Sequence, residues 1–282
     1  MSGKAISVHS TPYPDVDTVL HYFRLGAQTA LGHGFRGMYL TGSLALGDFD
    51  PRSSDIDFIV VTDGDVTADE LAALRALHAR FNAGESLWAT DVEAVYIAAA
   101  ALRRHDPARS LHPHIERGAG ETLRMDQLDS GWVVQRHILR QCGIAVAGPS
   151  PHTLIDPVDP RELHQAVALL MREWWGPMVD DLWPLKRPGY QAYAVLTMCR
   201  MLYTLQHGAI VSKPAAARWA QGYWATNGRT SSTGPWRGAR IAPTRLVMTR
   251  ATRDASSSTP PRGSDYGVTK TRIAGGATRS EG

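Results

Sequence analysis

Apolar and polar positions alternate in two distinct rhythms along this chain. From Asp15 to Ala30 the apolar residues follow helical spacing, with Val19, Leu20, Phe23 and the Leu25–Leu31 segment forming one stripe and Asp15 as the expected cap. Gly32 and Gly34 close that helix. Met38 to Thr41 reads as a short strand, and Gly42-Ser43 opens a turn into a brief helical stretch, Leu44 to Leu46. Asp55-Ile56-Asp57-Phe58-Ile59-Val60-Val61 is the strongest strand pattern, β-branched and apolar after two acids. A helix follows from Thr67 to about Phe81, opened by a capping box from Thr67 to Glu70. Val92 to Ile97 is a third strand, and residues 103–130 read as irregular. Trp132 to Cys142 is helical, Gly143 stops it, and Ile144 to Ala147 leads into a Gly148-Pro149 turn. Three helical segments then follow: Pro160 to Trp175, Tyr190 to His207, and Lys213 to about Tyr223. Strands mixed with helices, then helices alone, predict an α+β domain over residues 1–150 and a helical domain over 151–226.

Composition changes the picture beyond that point. The 282 residues carry 30 Lys plus Arg against 27 Asp plus Glu, a mild basic excess. From Asn227 to Gly282, however, 10 basic residues face 3 acidic ones, leaving 20 basic and 24 acidic in the rest. The net charge of +3 is therefore a −4 body joined to a +7 tail. Of the 56 tail residues, 28 are Gly, Ser, Thr or Pro and 5 are Leu, Ile, Val or Phe, too few to offset the entropy of ordering. Residues 227–282 thus read as a disordered basic tail, and as a solvated one, since it lacks aromatic interleaving. Its abrupt start is what out-of-frame translation of a GC-rich gene would give. No apolar run is long enough for a membrane span, and Met1 to Tyr13 lacks the apolar stretch of a secretory signal. Cys142 and Cys199 are too few for a disulfide framework, so the expected setting is the cytoplasm, with no nucleic-acid or membrane partner.

Chemistry concentrates in Gly42-Ser43-Leu44-Ala45-Leu46-Gly47-Asp48-Phe49-Asp50-Pro51-Arg52-Ser53-Ser54-Asp55-Ile56-Asp57. Ser43, at a glycine turn before a helix start, offers a hydroxyl and free backbone N–H groups to a phosphate. Asp55 and Asp57 are two apart on a strand and so point the same way, with Ile56 turned into the core. Converging carboxylates repel, and a divalent cation relieves that cost; hard oxygen ligands beside phosphate favour Mg²⁺. Glu93, in mid-strand where a lone acid is costly, is the candidate third carboxylate. Arg200 lies in an otherwise apolar helical segment and calls for an anionic partner, either a phosphate or a neighbouring acid. Lys213 begins a helix, where the dipole disfavours a cation. Asp-x-Asp alone, or a Gly-Ser turn alone, is common; the combination at this spacing is not.

With those residues the chain resembles the nucleotidyltransferase superfamily, and within it the streptomycin/spectinomycin-type aminoglycoside adenylyltransferases, which couple a nucleotidyltransferase domain to a C-terminal helical domain. The likeness spans about residues 15–226. It implies that Asp55 and Asp57 bind Mg²⁺, and that Gly42, Ser43 and Ser54 hold the triphosphate. It also implies that Glu93 is the general base on the acceptor hydroxyl, and that Arg200 and Lys213 reach the phosphates of ATP. Asp129 falls near an acid close to the nucleotide, and Gly148-Pro149 with Asp156-Pro157-Val158 match the interdomain stretch. The implied reaction moves AMP from ATP to a hydroxyl of a small molecule such as an aminoglycoside antibiotic, with the enzyme acting as a monomer in antibiotic resistance.

Two features depart from that pattern. Trp183 to Tyr190 carries Lys186 and Arg187 where the drug-modifying enzymes place acids, with Asp180 and Asp181 displaced upstream, and a basic stretch repels a polycation such as streptomycin. The helices expected after Trp224 are replaced by the basic tail. Adenylylation of a protein hydroxyl, and nucleotide binding without catalysis, are the competing readings. His105, His112 and His114 lack cysteine partners or helical spacing and make a weak metal set. Trp132, Trp174, Trp175 and Trp219 read as packing residues, and Cys142 and Cys199 as small apolar ones.

Overall fold

The computed structural model describes residues 10–176 and 188–227. The tail beyond Asn227, the stretch from Trp183 to Arg187, and Asp180 and Asp181 lie outside the described residues, as does the side chain of Trp174.

The first helix, α1 (Pro14–Leu31), starts one residue earlier than its periodicity suggests, because Pro14 takes the first helical position. Asp15 consequently sits inside the first turn and caps nothing. Asp17, also in that turn, instead accepts hydrogen bonds from the Thr11 N–H and hydroxyl, both at 3.0 Å. The remaining N-terminal elements are β1 (Phe35–Leu40), α2 (Gly42–Leu46), β2 (Ile56–Thr62), α3 (Ala68–Asn82), β3 (Val92–Ala98) and α4 (Ala99–Arg103). They are followed by β4 (Leu111–Ile115), β5 (Arg124–Gln127), α5 (Gly131–Cys142), β6 (Ile144–Ala147) and α6 (Pro151–Leu154). The predicted capping box is present at α3, where Thr67 and Glu70 exchange side-chain and backbone bonds.

Six strands make one mixed sheet in the order β5-β4-β3-β2-β1-β6. Only β2 and β3 run parallel, joined by α3; the other pairs are antiparallel. Residues 103–130 are less irregular than their composition suggests, since β4 and β5 form within them. Two histidines and Pro113 hide the alternation of β4, yet His112 and His114 are buried on strand pairings with Asp126 and Arg124.

Each sheet face has its own core. Ile56, Phe58 and Val60 meet α1 and α3, where the Phe23 ring lies 5.1 Å from Phe58 and 4.7 Å from Phe81. Each fully buried aromatic of this kind contributes about 2–3 kcal/mol. Ile59, Val61, Val95 and Ile97 face the other way, under Trp132 and Leu139 of α5. Burial pushes the His78 imidazole down to about 3, so it is neutral in the first core, 2.8 Å from the Tyr96 hydroxyl.

The C-terminal elements are α7 (Pro160–Leu170), continued by a π-helical turn at Met171–Trp175, then α8 (Pro188–His207) and α9 (Lys213–Asn227). Leu163 and Ala166 of α7 pack on Val133 of α5. Val195 and Cys199 of α8 meet Ala216, Ala217 and Ala220 of α9 in a small buried core, and at its edge the Tyr203 ring of α8 lies 5.3 Å from Trp219 of α9. Arg136, only 2% exposed, ties the halves together: its Nε donates to the Leu102 carbonyl at 2.8 Å, its Nη2 to the Arg103 carbonyl, and its Nη1 lies 3.5 Å from Glu162 of α7. Among the described residues no helix is long and apolar enough to cross a membrane.

Candidate active site

The predicted motif folds around the end of β2. Parallel pairing puts Asp57 directly beside Glu93, and Asp55 precedes the strand by one residue. Ile56 is fully buried on the opposite face, as the alternation requires. Carboxylate oxygens of Asp55, Asp57 and Glu93 all come within 4.8 Å of one another. Burial, then the charges of Asp55 and Glu93, hold the Asp57 carboxyl well above the usual carboxylate range, against the opposing pull of Lys213 and Arg117. Three crowded hard oxygen donors, one of them resisting ionisation, suit a divalent cation such as Mg²⁺. In that sense the residues present fit the metal.

Gly42 is required here for space as well as conformation. Its φ is +59°, and a Cβ at this position would lie 1.8 Å from Asp57 Oδ2. The next residue, Ser43, has a buried hydroxyl oxygen with no hydrogen-bond partner, a group that calls for a polar ligand. Ser54 is engaged locally: its hydroxyl accepts from the Asp50 N–H at 3.0 Å, shaping the loop that returns to β2. Asp129 is exposed two residues before α5, accepting from the Gly131 N–H at 2.8 Å. It stands at the start of the helix whose Trp132 and Gln135 line a cleft with Thr41, Asp57 and Glu93.

The helical half supplies the cations. Arg200 feels the charge of Asp57, and Lys213 that of Asp55, Asp57 and Glu93; neither makes a salt bridge among the described residues. Burial lowers the Arg200 guanidinium pKa, opposed by the charges of Tyr193 and Asp57. Burial, then the nearby Arg200, pushes the Lys213 ammonium down to about 8, countered by Asp55, Asp57 and Glu93. The Lys213 ammonium lies 4.4 Å from the centroid of the Tyr193 ring, a cation–π contact.

Several participants are not evident from sequence. Arg117 spans Asp55, at 3.2 Å, and Asp91, at 3.6 Å. His114 Nε2 is 3.9 Å from Glu93 and its Nδ1 3.3 Å from Asp126. Burial alone would lower the His114 pKa, but Glu93, Glu116 and Asp126 hold it above the ordinary value. The weak three-histidine set does not assemble: among the described residues His114 groups with Glu116 and Asp126, and Arg124 already pairs with both acids. Burial raises the Cys199 thiol to about 11, which makes it an inert packing residue.

A mixed sheet that sets two acids at the head of one strand, a third on its parallel neighbour and a glycine-serine turn beside them is the arrangement expected of a nucleotidyltransferase. The sequence model of the nucleotidyltransferase domain matches residues 35–92. That of the aminoglycoside adenylyltransferase C-terminal domain matches residues 153–229. The chain thus combines a nucleotidyltransferase domain with a C-terminal domain of the aminoglycoside adenylyltransferase type. Among solved structures it resembles a spectinomycin adenyltransferase, AAD(9), from Enterococcus faecialis, crystallised with ATP and spectinomycin. The identity is 16%, the TM-score 0.61, and the likeness covers 86% of this chain and 90% of that one, a shared fold. No curated protein sequence matches the chain.

Proposed function

We propose that the protein transfers AMP from ATP to a hydroxyl of an aminoglycoside or aminocyclitol. One observation carries the reading: three carboxylates crowd within 4.8 Å of one another, and two cations close enough to feel their charge, Arg200 and Lys213, make no salt bridge among the described residues. The carboxylate side asks for a divalent cation and the cationic side for a polyanion, and a magnesium–triphosphate complex satisfies both. Asp55 and Asp57 would hold Mg²⁺, which when bound supplies positive charge against the phosphate oxygens. Gly42 leaves room for the nucleotide to approach Asp57, and the Ser43 hydroxyl gains the partner it lacks.

In the reaction, Glu93 takes the proton of the acceptor hydroxyl, whose oxygen attacks the α-phosphorus. The bond from that phosphorus to the β-phosphate bridging oxygen breaks, and pyrophosphate leaves with its charge balanced by Arg200 and Lys213. Ser54 and Asp129 support the site through the Asp50–Ser54 loop and the start of α5. The protein acts as a soluble monomer of the cytoplasm in this reading, and antibiotic resistance is the biological role it favours.

The test is pyrophosphate release from ATP and Mg²⁺ across a panel of aminoglycosides and aminocyclitols. Release that depends on one acceptor, and is lost in Asp57→Asn, supports the assignment. No release above the acceptor-free background with any member of the panel overturns it, and tight ATP binding in that case would leave a non-catalytic nucleotide-binding protein.

A further inference from the structure

Asp48 has no assigned part in the chemistry, yet it touches both elements that would hold the triphosphate. It follows Gly47, whose φ of +74° ends α2 and turns the chain back. Its backbone N–H donates to the Ser43 carbonyl at 3.1 Å, bracing the glycine-serine turn. Its Oδ2 accepts a hydrogen bond from the hydroxyl of Ser212, 164 residues away in sequence. Ser212 is 5% exposed, and its hydroxyl also accepts from the Ala215 N–H at 3.3 Å, the pattern of a helix N-cap. The residue after it is Lys213. One side chain therefore sets the Ser43 turn against the start of α9, and so fixes where the Lys213 ammonium stands relative to the carboxylates.

We propose that Asp48 is a positioning residue for nucleotide binding, acting through Ser212 to hold Lys213 over the phosphate site. The role rests on the nucleotide reading above. The need for such a tie follows from the packing: the buried residues shared by α8 and α9 are Val195, Cys199 and three alanines, and among the described residues Lys213 carries no salt bridge to fix it. A hydrogen bond to a carboxylate, buried at the Ser212 end, is among the stronger neutral-to-charged contacts. A purely structural staple would lower stability and leave the Lys213 contribution intact; a positioning residue acts on ATP affinity only while Lys213 is present.

The experiment is calorimetric titration of ATP, with Mg²⁺, into the wild-type chain, Asp48→Ala, Asp48→Asn, Lys213→Met and the double variant Asp48→Ala/Lys213→Met, with a thermal melt of each. Asp48→Ala is expected to weaken ATP binding about tenfold, the scale of one charge-assisted hydrogen bond. Asp48→Asn keeps an acceptor oxygen for Ser212 and should stay within about twofold of wild type, a few tenths of a kcal/mol. In the Lys213→Met background, Asp48→Ala should add nothing further. Wild-type affinity in Asp48→Ala, or independent additive losses in the double variant, would overturn the role. Absence of ATP binding by the wild type would instead overturn the nucleotide reading, and this role with it.

Discussion

In the sheet half, the charged groups of the site are fixed by strand register; in the helical half, they ride on helices whose shared buried core is made mostly of small side chains. Asp57 cannot leave Glu93 without breaking the parallel β2–β3 pairing, and that pairing is clamped between an aromatic core and the α5 face. Arg200 and Lys213 have no such scaffold. Val195, Cys199, Ala216, Ala217 and Ala220 bury far less area per residue than Phe23, Phe58 and Phe81, so the helical half has less holding each position. The contrast suits the chemistry. Mutually repelling acids need rigid backbone to stay together, whereas long cationic side chains reach an anion from a lighter mount.

Changes on the rigid side should cost the most. Asp57→Asn removes a carboxylate that register holds in place, and turnover should fall on the order of a thousandfold, read as pyrophosphate release. Its melting temperature should hold or rise, because Asp57 resists ionisation: a carboxyl raised in the fold destabilises the nucleotide-free protein as pH climbs above the unfolded value. A drop in stability would contradict that account of its charge. Glu93→Gln should slow turnover by about a hundredfold or more while leaving ATP affinity near wild type, as loss of a general base predicts. Equal losses in affinity and rate would make Glu93 a nucleotide-binding group.

Arg136 probes the joint between the halves. Arg136→Met leaves the Leu102 and Arg103 carbonyls without their donor and should destabilise the fold by about 2–4 kcal/mol, measured by urea denaturation. A split transition, with one part melting first, would show that the two halves separate without it.

The smallest effect belongs to the helical side. With its pKa near 8, Lys213 loses its charge as pH rises through that value, so ATP affinity should fall above pH about 8. The sign for stability is opposite: a lysine depressed from 10.5 to about 8 makes the nucleotide-free protein more stable as pH rises across that window. Lys213→Arg should remove the alkaline fall in affinity, and a fall that persists unchanged would assign it to another group.

How much of this was legible in sequence follows the same division. Asp55, Asp57 and Glu93 are readable because alternation on a strand fixes which way each points, and two acids ahead of an apolar run are conspicuous. Arg200 stands out as a charge in an apolar helix. His114 is not readable because it lies on β4, whose alternation Pro113 and two histidines conceal, and Arg117 beyond β4 and Asp91 before β3 sit outside the strands, where no alternation marks them. The Asp48–Ser212 bond joins positions 164 residues apart, a contact that no local pattern encodes. Asp15 misled for a local reason: the proline before it takes the first helical position and displaces the cap. The acceptor is the least legible part, because the stretch from Trp183 to Tyr190 differs in charge from the pattern it resembles.

The most direct test follows the α-phosphorus. Purified protein is incubated with Mg²⁺ and ATP labelled at the α-phosphate or at the γ-phosphate, together with an aminoglycoside or aminocyclitol acceptor. The account predicts α-label on the acceptor, γ-label in pyrophosphate, and neither product with Asp57→Asn. Transfer of the γ-label to the acceptor, or α-label transfer that survives the loss of Asp57, would contradict it.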